Sequence, residues 1–334
     1  MPKLSICIAT LNRADFIGET LTGILAQVTP EVELVVVDGA STDGTGAVVL
    51  ELFDGRPRCR YIRLPRKGGV DRDYCRAVDE ASGEFCWLMT DDDVLRPDAV
   101  RTVLGLLTQE RDLVVVNAEV AGPDLLTTYE ARRAPVAQDQ EFGPDQQADL
   151  LAVAGNLLSF IGAVVVRRSV WQARDRASYF GTEFVHVGVI FQRPLAGSTR
   201  LVADPLVRIR YGNAQWAARA FEIWMEKWPA LIWSFSHLRD DAKVCVCPKE
   251  PWRRFPYLLD MKIRGCFTQT DYRKHLAGKT APLLSKMCAY FLAIFPDVLF
   301  NALARELWVP LRRLDKIVSL ELEKSRFNYR RQWF

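Results

Sequence analysis

Short apolar segments that alternate with amphipathic segments constrain the fold of this chain more than any other feature of its sequence. Residues 4–9, 32–37 and 85–89 are almost entirely apolar, which is the pattern of strands buried on both faces. Between them, residues 15–25 and 70–81 space their apolar side chains along one face of a helix. Strands that alternate with helices of this size predict an α/β fold with a doubly wound, mostly parallel sheet.

Acidic side chains stand directly after two of these predicted strands. Asp38 follows the second apolar segment, and Asp91, Asp92 and Asp93 follow the segment 85–89. In open α/β sheets, ligands bind in the crevice outside the carboxyl ends of the strands. Both acidic features are therefore candidates for a functional site. An ordinary Asx turn remains the alternative at Asp38.

The three adjacent aspartates repel one another, and a bound cation would relieve that repulsion. An extended backbone turns Asp91 and Asp93 to the same side. Two oxygen ligands on one side suit Mg²⁺ or Mn²⁺, whose coordination is often completed by substrate phosphates. The alternative is a solvated turn that caps the helix opened by Pro97.

Two common nucleotide-binding motifs are absent from the sequence. Gly39, Gly44 and Gly46 follow the second predicted strand, but their spacing does not match G-x-G-x-x-G. No segment matches G-x-x-x-x-G-K-[ST]. A dinucleotide fingerprint at this turn and a P-loop are therefore excluded.

Three segments carry a resemblance to a known family: residues 5–13 (SICIATLNR), 36–45 (VVDGASTDGT) and 81–85 (ASGEF), the last just ahead of the three aspartates. They resemble the family-2 inverting glycosyltransferases of GT-A fold, over about residues 3–115. The resemblance implies a GT-A-type sheet. It also implies transfer of a sugar from a nucleotide-diphosphate-sugar to a hydroxyl of a glycan or polyprenyl-linked glycan, in polysaccharide or O-antigen biosynthesis.

The same resemblance implies roles for individual residues around the nucleoside. The first motif and the aspartate after the second strand hold the nucleoside in this family, which implies base and ribose contacts from Thr10, Asn12 and Asp38. Arg13 belongs to the same motif and is included in the predicted donor site. One departure is Ala9, which stands where the family commonly has proline.

For the diphosphate, the resemblance implies that Asp91 and Asp93 hold Mn²⁺ or Mg²⁺, with Asp92 near the ribose. Thr90 stands where the family usually has a further aspartate, so the register of the three aspartates stays open. Arg210 follows a strand-like segment and is a further candidate, because a guanidinium suits diphosphate geometry. Ordinary surface is the alternative there.

Residues 68–73 (GGVDRD), together with Trp87, resemble an abequosyltransferase-like branch that transfers deoxysugars in O-antigen assembly. This resemblance implies that Gly69, Arg72 and Asp73 line the donor pocket. A solvated helix start is the alternative.

An inverting transferase needs a general base that takes the proton of the acceptor hydroxyl on the face opposite the leaving diphosphate. In the family this base is an acidic residue in the second half of the domain, at the start of a helix, and residues 179–188 match that position. Glu183 is the candidate, and His186, one helical turn later, is its rival. A satisfied core histidine is the alternative reading of His186.

The last third of the chain differs from the rest in charge. Residues 221–334 carry 20 Lys and Arg against 12 Asp and Glu, whereas residues 1–220 carry 24 against 29. We expect a catalytic domain over 1–220 and a helical, basic and aromatic-rich extension over 221–334. Such an extension suits a peripheral membrane surface, and packing on the catalytic domain or contact in a homo-oligomer is the alternative. Nucleic acid is disfavoured because no recognition motif appears.

Eight cysteines without zinc-site spacing indicate reducing cytoplasm, with association at the inner face of the membrane left open. The N-terminus has no signal-peptide pattern, and no run of about 18 apolar residues occurs. Residues 121–149 are polar and are expected to form a loop region. Two other functions stay open: a nucleotidyltransferase, which needs a basic glycine-rich loop that residues 9–13 lack, and a non-catalytic nucleotide-sugar-binding module.

Overall fold

The computed structural model describes residues 1–308, 316–325 and 327–328. These form two compact units. The first consists of Met1–Arg210 and Phe235–Val246, and the second consists of Tyr211–Ser234 and the described residues from Cys247 onward. The division into domains at residue 220 stays a prediction, because a compact unit is not by itself a domain that folds alone.

The first unit is built on ten strands. They are β1 (Leu4–Thr10), β2 (Val32–Asp38), β3 (Cys59–Arg63), β4 (Phe85–Met89), β5 (Val94–Leu95), β6 (Arg111–Ala121), β7 (Thr128–Glu130), β8 (Gln140–Phe142), β9 (Val164–Arg167) and β10 (Ser198–Arg210).

Helices connect these strands. In the first unit they are α1 (Ala14–Leu25), α2 (Thr45–Phe53), α3 (Val70–Glu80), α4 (Ala99–Leu106), α5 (Gln147–Leu158), α6 (Arg168–Gln172) and α7 (Val185–Phe191). Short 3₁₀ turns lie at Pro144–Gln146, Ile161–Ala163 and Ala177–Tyr179.

All ten strands belong to one sheet with the order β3-β2-β1-β4-β9-β6-β10-β5, while β7 pairs with β6 and β8 pairs with β10. Strands β3, β2, β1 and β4 run parallel, as do β6 and β10, whereas β9 lies antiparallel between β4 and β6. The predicted doubly wound, mostly parallel sheet is confirmed. The loop predicted over 121–149 is wrong in part, because β7, β8 and the start of α5 lie there.

A buried polar cluster fixes β1, β2 and β4 side by side. The Ser5 hydroxyl donates to Glu33 Oε1 at 2.6 Å, and the Glu33 carboxylate also accepts from the Ser82 and Gly83 backbone N–H groups. A Cβ atom on Gly83 would lie 2.5 Å from Ser5 Oγ and 2.8 Å from Ser5 N, so only glycine fits. The Ser-Gly-Glu motif therefore sets the start of β4, the strand that leads into the three aspartates.

The second unit and the segment Phe235–Val246 of the first unit are helical, as predicted for the C-terminal extension. They contain α8 (Ala220–Glu222), α9 (Trp228–Ser234), α10 (Asp240–Val246, which contacts α5 in the first unit), α11 (Phe255–Ile263), α12 (Gln269–Asp271), α13 (Leu283–Ile294), α14 (Asp297–Leu303) and α15 (Lys316–Lys324). Short 3₁₀ turns lie at Ala217–Arg219 and Pro251–Arg253, and π-helical turns at Ile223–Lys227, Tyr272–Leu276 and Ala304–Trp308.

The core of the second unit is apolar and aromatic. Phe221 and Phe267 stack with ring centroids 5.1 Å apart, and Trp252, Leu258 and Leu292 are buried with them. In the described part of the chain no single helix has the length and apolar composition of a membrane span. The pair formed by α13 and residues 297–306 meets that criterion jointly, but it is bent by 92°.

Candidate active site

The loops after β1 and β2 are tied together at the carboxyl edge of the sheet. Thr10 and Asp38 end these strands as neighbours in register. Asn12 adopts a left-handed backbone conformation, with φ of 55°. Its N–H donates to Ser41 Oγ, and its Oδ1 accepts from the Thr42 N–H, both at 2.8 Å. The motif at residues 5–13 therefore fixes the loop of the motif at residues 36–45 through these hydrogen bonds.

Asp38 is fully buried at the base of this loop pair. Its Oδ1 accepts from the Ser41 N–H at 2.7 Å, and its Oδ2 accepts from the Tyr61 hydroxyl at 2.6 Å. Burial and the hydrogen bond to Asp38 raise the pKa of Tyr61, so this phenol stays a donor. The Asp38 carboxylate thus holds the turn that follows it, through the N–H three residues on rather than the two residues of an Asx turn. Asp38 also lies at the edge of the sheet where ligands bind.

The aspartates that follow β4 lie beside Arg13. The Arg13 guanidinium pairs with Asp91 Oδ1 at 3.4 Å through Nε and with Asp92 Oδ2 at 3.3 Å through Nη2. Burial and the neighbouring Asp92 raise the pKa of Asp91 to about 7, although Arg13 opposes this. A buried carboxylate whose pKa stays raised beside a guanidinium is suited to binding a further cation.

Asp93 is hydrogen-bonded to the end of β10. Its Oδ1 accepts from the Arg210 N–H at 2.7 Å, and its Oδ2 accepts from the Thr90 hydroxyl at 2.5 Å. Burial and Asp92 raise the pKa of Asp93 well above its usual value. Arg210 Nε donates to the Asp92 carbonyl at 3.0 Å, and its Nη2 pairs with Glu19. The predicted Arg210 therefore lies at the aspartates, where it holds the Asp93 carboxylate and the Asp92 backbone carbonyl.

Among the described residues, no group of three or more His, Cys, Asp or Glu side chains is arranged to enclose a metal ion. The donor set of the aspartates still fits Mg²⁺ or Mn²⁺, because it consists of carboxylate oxygens and a carboxylate has about four lone-pair sites. Asp91 and Asp93 each keep acceptor capacity beyond the contacts described above.

The predicted general base lies in a tight loop before α7. Glu183 has φ of 72°, and Gly181 has φ of 87°. Glu183 is partly exposed, whereas His186 is 1% exposed within α7. His186 Nε2 lies 2.8 Å from the Leu158 carbonyl oxygen, and burial lowers the pKa of this histidine to about 4. The placement favours Glu183 over His186 as a group that an acceptor can reach.

Helix α3 begins at Val70, and Gly69, with φ of 97°, precedes it as the N-cap. No heavy atom would contact a Cβ there, so the backbone conformation alone favours glycine. The Arg72 guanidinium lies 4.6 Å from the centre of the Phe180 ring, which joins the start of α3 to the loop that carries Glu183. Gly69 and Arg72 thus stand on the helix that faces these loops.

Sequence reasoning missed the part that Asp71 and Tyr74 play in the site, whereas Asp73 was predicted to line the donor pocket. Asp71 accepts hydrogen bonds from the 181–185 loop, and the Tyr74 hydroxyl donates to the Met89 carbonyl at 3.1 Å, just before the aspartates. Asp73 lies beside Asp38, whose charge adds to burial in raising the Asp73 pKa. The two acidic residues in the first turn of α3, Asp71 and Asp73, were the available signal in the sequence. The signal is weak because the helix dipole favours acidic residues in any first turn.

Comparison with known proteins places this geometry in a family. The model of glycosyl transferase family 2 matches residues 5–171. An abequosyltransferase of Salmonella typhimurium is 28% identical over 229 residues, which cover 63% of this chain and 67% of the relative. A Campylobacter jejuni protein named GalNAc(5)-diNAcBac-PP-undecaprenol beta-1,3-glucosyltransferase is 33% identical over 105 residues, which cover 31% of this chain and 34% of its own length.

Solved structures agree in fold. Residues 1–349 of TarS from S. aureus, in complex with UDP-GlcNAc, match with a TM-score of 0.55 and 16% identity over 99% of this chain and 93% of that one. A mannosyltransferase of Pyrobaculum calidifontis, in complex with GDP-Man and Mn²⁺, matches with a TM-score of 0.55 and 16% identity over 100% of this chain and 88% of that one. The sheet is thus of GT-A type, and the chain belongs to glycosyl transferase family 2.

Proposed function

We propose that this protein is a metal-dependent, inverting glycosyltransferase of polysaccharide or O-antigen biosynthesis. It moves a hexosyl or deoxyhexosyl group from a nucleotide-diphosphate-sugar to a hydroxyl of a glycan or lipid-linked glycan. The observation that carries the proposal is the placement of buried Asp91 and Asp92 against Arg13, at the strand ends that also present Asp38. Family membership leaves nucleotidyl transfer without support.

The nucleoside end of the donor lies over the joined β1 and β2 loops in this proposal. Thr10, Asn12 and Asp38 form its floor, because their positions are fixed by the hydrogen bonds between the two loops. Gly69 and Arg72 approach from the start of α3. A rigid, pre-ordered pocket lowers the entropic cost of binding a nucleotide-sugar.

The diphosphate end meets the aspartates. Asp91 and Asp93 are the proposed ligands of Mn²⁺ or Mg²⁺, and Asp92 stands near the ribose. When bound, the cation supplies positive charge that stabilises the diphosphate as it departs. Arg13 pairs with Asp91 and Asp92 and so orients their carboxylates. Arg210 holds Asp92 and Asp93 through its backbone and guanidinium N–H groups.

Glu183 is the proposed general base. It accepts the proton of the acceptor hydroxyl, whose oxygen then attacks the anomeric carbon from the side opposite the diphosphate. Attack from that side inverts the anomeric configuration. His186 does not serve this step, because its ring is enclosed within the first unit.

Two variants test the proposed metal site and the proposed general base separately. Asp91→Asn should abolish sugar transfer and metal-dependent nucleotide binding, and Glu183→Gln should abolish transfer while nucleotide binding persists. A panel of nucleotide-sugars with Mn²⁺, read by thermal shift, identifies the donor, because a ligand that binds the folded state raises its apparent stability. Full transfer by Asp91→Asn, or in excess chelator, contradicts metal dependence. Donor binding without transfer to any acceptor supports a binding module instead.

We also propose that helices α13 and α14 dock on the anionic lipid surface of the cytoplasmic face of the membrane. None of the eight cysteines, all of them described, forms a disulfide, which suits the reducing cytoplasm. The outward side of α13 is apolar, with Leu284 73% exposed and Phe291 57% exposed. The exposed large apolar side chains of this surface are Leu283, Leu284, Met287, Tyr290, Phe291, Ile294, Phe295, Leu299 and Leu303.

Charge supports a lipid partner over a second copy of the chain. Arg273 and Lys274 are exposed shortly before α13, and Lys286 lies within it. Apolar and aromatic side chains flanked by cations are the pattern of helices that lie in a membrane interface. Cations on both members of a homodimer would repel each other, whereas phosphatidylglycerol attracts them.

Vesicle sedimentation tests this docking. The double variant Leu284→Gln/Phe291→Gln should bind vesicles of phosphatidylglycerol and phosphatidylethanolamine at least about tenfold more weakly, since each substitution removes about 1.5–3 kcal/mol of apolar transfer. Leu50→Gln, 58% exposed on the first unit, is the matched control and should bind normally. Unchanged vesicle binding together with loss of a homo-oligomer, measured by light scattering, would identify the surface as a contact between copies and overturn the proposal.

A further inference from the structure

Asp71 belongs to neither the proposed donor set nor the proposed metal set, yet it is only 4% exposed. Its carboxylate lies beneath the loop that carries Glu183. Oδ2 accepts from the Gly181 N–H at 2.8 Å and from the Glu183 N–H at 3.0 Å, while Oδ1 accepts from the Val185 N–H at 3.1 Å. One side chain therefore satisfies three backbone donors within five residues of chain.

The loop needs such an anchor because its backbone is strained. Glu183 has φ of 72°, a left-handed conformation that is unfavourable for a residue with a Cβ atom. Strained conformations persist only when the surrounding structure over-determines them. The three hydrogen bonds to Asp71 do this, and Arg72 adds a contact with the Phe180 ring at 4.6 Å.

Helix α3 also reaches the other two parts of the site. Asp73 lies against the β2 loop, where a Cβ atom on Gly39 would be 2.7 Å from Asp73 Oδ2. Tyr74 donates to the Met89 carbonyl at the end of β4. One turn of α3 thus contacts the nucleoside loop, the strand end that leads into the aspartates and the loop of the base.

We propose that Asp71 is a positioning residue for Glu183. It fixes the left-handed backbone of Glu183 relative to α3, and so sets the base at a constant place with respect to the strand ends that hold the donor. The inference rests on the proposed role of Glu183 as general base. Asp71 itself stays out of contact with the reacting groups, and it acts through the loop.

Asp71→Asn is the first test, because asparagine keeps the shape but offers one acceptor oxygen and turns an NH₂ group toward the loop N–H donors. We expect kcat to fall by about 100-fold, the cost of misplacing a catalytic group by about 1 Å, while KM for the nucleotide-sugar stays within about twofold. Asp79→Asn is the matched control on the same helix, since the Asp79 side chain is 46% exposed, and it should retain normal kcat.

A double-mutant cycle separates positioning from general support of the fold. In a Glu183→Gln background, Asp71→Asn should cause no further loss of residual transfer, because residues that act as a unit are not additive. An additive loss, or a weakened nucleotide affinity, would overturn the positioning role. Full transfer by Glu183→Gln contradicts the base assignment itself. An inactive Glu183→Gln beside a fully active Asp71→Asn contradicts the positioning inference alone.

Hydrogen exchange on the unmodified protein completes the test if the Asp71 variants do not fold. The N–H groups of Gly181, Glu183 and Val185 should exchange far more slowly than those of an open loop, because each donates to a buried carboxylate. Exchange of these three amides at open-loop rates would overturn the inference without any variant.

Discussion

Replacing Asp73 with asparagine should stabilise the protein, and the gain should depend on pH. Asp73 is 4% exposed, and its Oδ1 accepts no hydrogen bond from any residue that the structure describes. Burial, and next the charge of Asp38, raise the pKa of Asp73 from 3.8 to about 6, although Lys67 opposes the shift. The folded state thus disfavours the charged carboxylate. Asparagine has the same shape and no charge.

The magnitude follows from linkage between proton binding and folding. Between pH 3.8 and about 6, the folded state binds a proton at Asp73 that the unfolded state has released, so stability falls as pH rises through this window. At 1.36 kcal/mol for each pKa unit, the full cost above pH 6 has an upper bound of about 3 kcal/mol. Water at the edge of the site reduces this, so we expect the Asp73→Asn variant to gain about 2 kcal/mol at neutral pH.

The assay is urea unfolding of parent and variant in parallel, between about pH 4 and pH 8. The stability difference should be near zero at the acid end, grow through the window and level off above it. Asp54→Asn, on the exposed end of α2, is the control and should show no such profile. A variant that is less stable than the parent at neutral pH, or a difference that does not change with pH, would refute the reasoning.

Three further substitutions and one treatment have expected outcomes. Gly83→Ala should lower the free energy of unfolding by at least about 1–3 kcal/mol in thermal or urea unfolding, because its Cβ would overlap backbone and side-chain atoms of Ser5. Gly69→Ala should lower it by about 1–2 kcal/mol through backbone strain alone, since the space beside it is open. Arg210→Met should cost about 3–5 kcal/mol and weaken nucleotide binding, measured by calorimetry, because it removes one partner from a buried charge cluster. Removal of divalent cations should abolish transfer, and Mn²⁺ should restore it in a radiolabelled-sugar assay.

The central strands of the sheet could be predicted from the sequence because they form continuous apolar segments. Strands β1, β2 and β4 are buried at every residue, so each appears as a continuous apolar segment. By contrast, β5, β7 and β8 are two or three residues long and pair at the margins of β6 and β10. Pairing of that kind depends on tertiary context rather than on local pattern.

The site was predictable to the extent that its residues follow strand ends. Asp38 and Asp91 meet that rule, and the register of β1 with β2 and β4 brings their strand ends together. The function of Arg210 in holding the aspartates was not accessible, because nothing in its sequence neighbourhood shows that its N–H would meet Asp93 117 residues away. Long-range hydrogen bonds of this kind leave no periodic signal.

Asp71 lies in the motif at residues 68–73, which the sequence identifies without revealing what this aspartate does. Acidic residues in the first turn of a helix are expected from the helix dipole alone, so Asp71 and Asp73 fit a solvated helix start. A solvated carboxylate would be exposed, yet both are 4% exposed, and each lies against a different loop of the site. Burying two carboxylates that stand two positions apart in sequence costs stability, as the raised pKa of each indicates. Natural proteins keep such costs where activity requires them. The segment Val70–Glu80 is therefore better understood as the element that joins the loop after β2, the end of β4 and the loop of Glu183 than as a connecting helix.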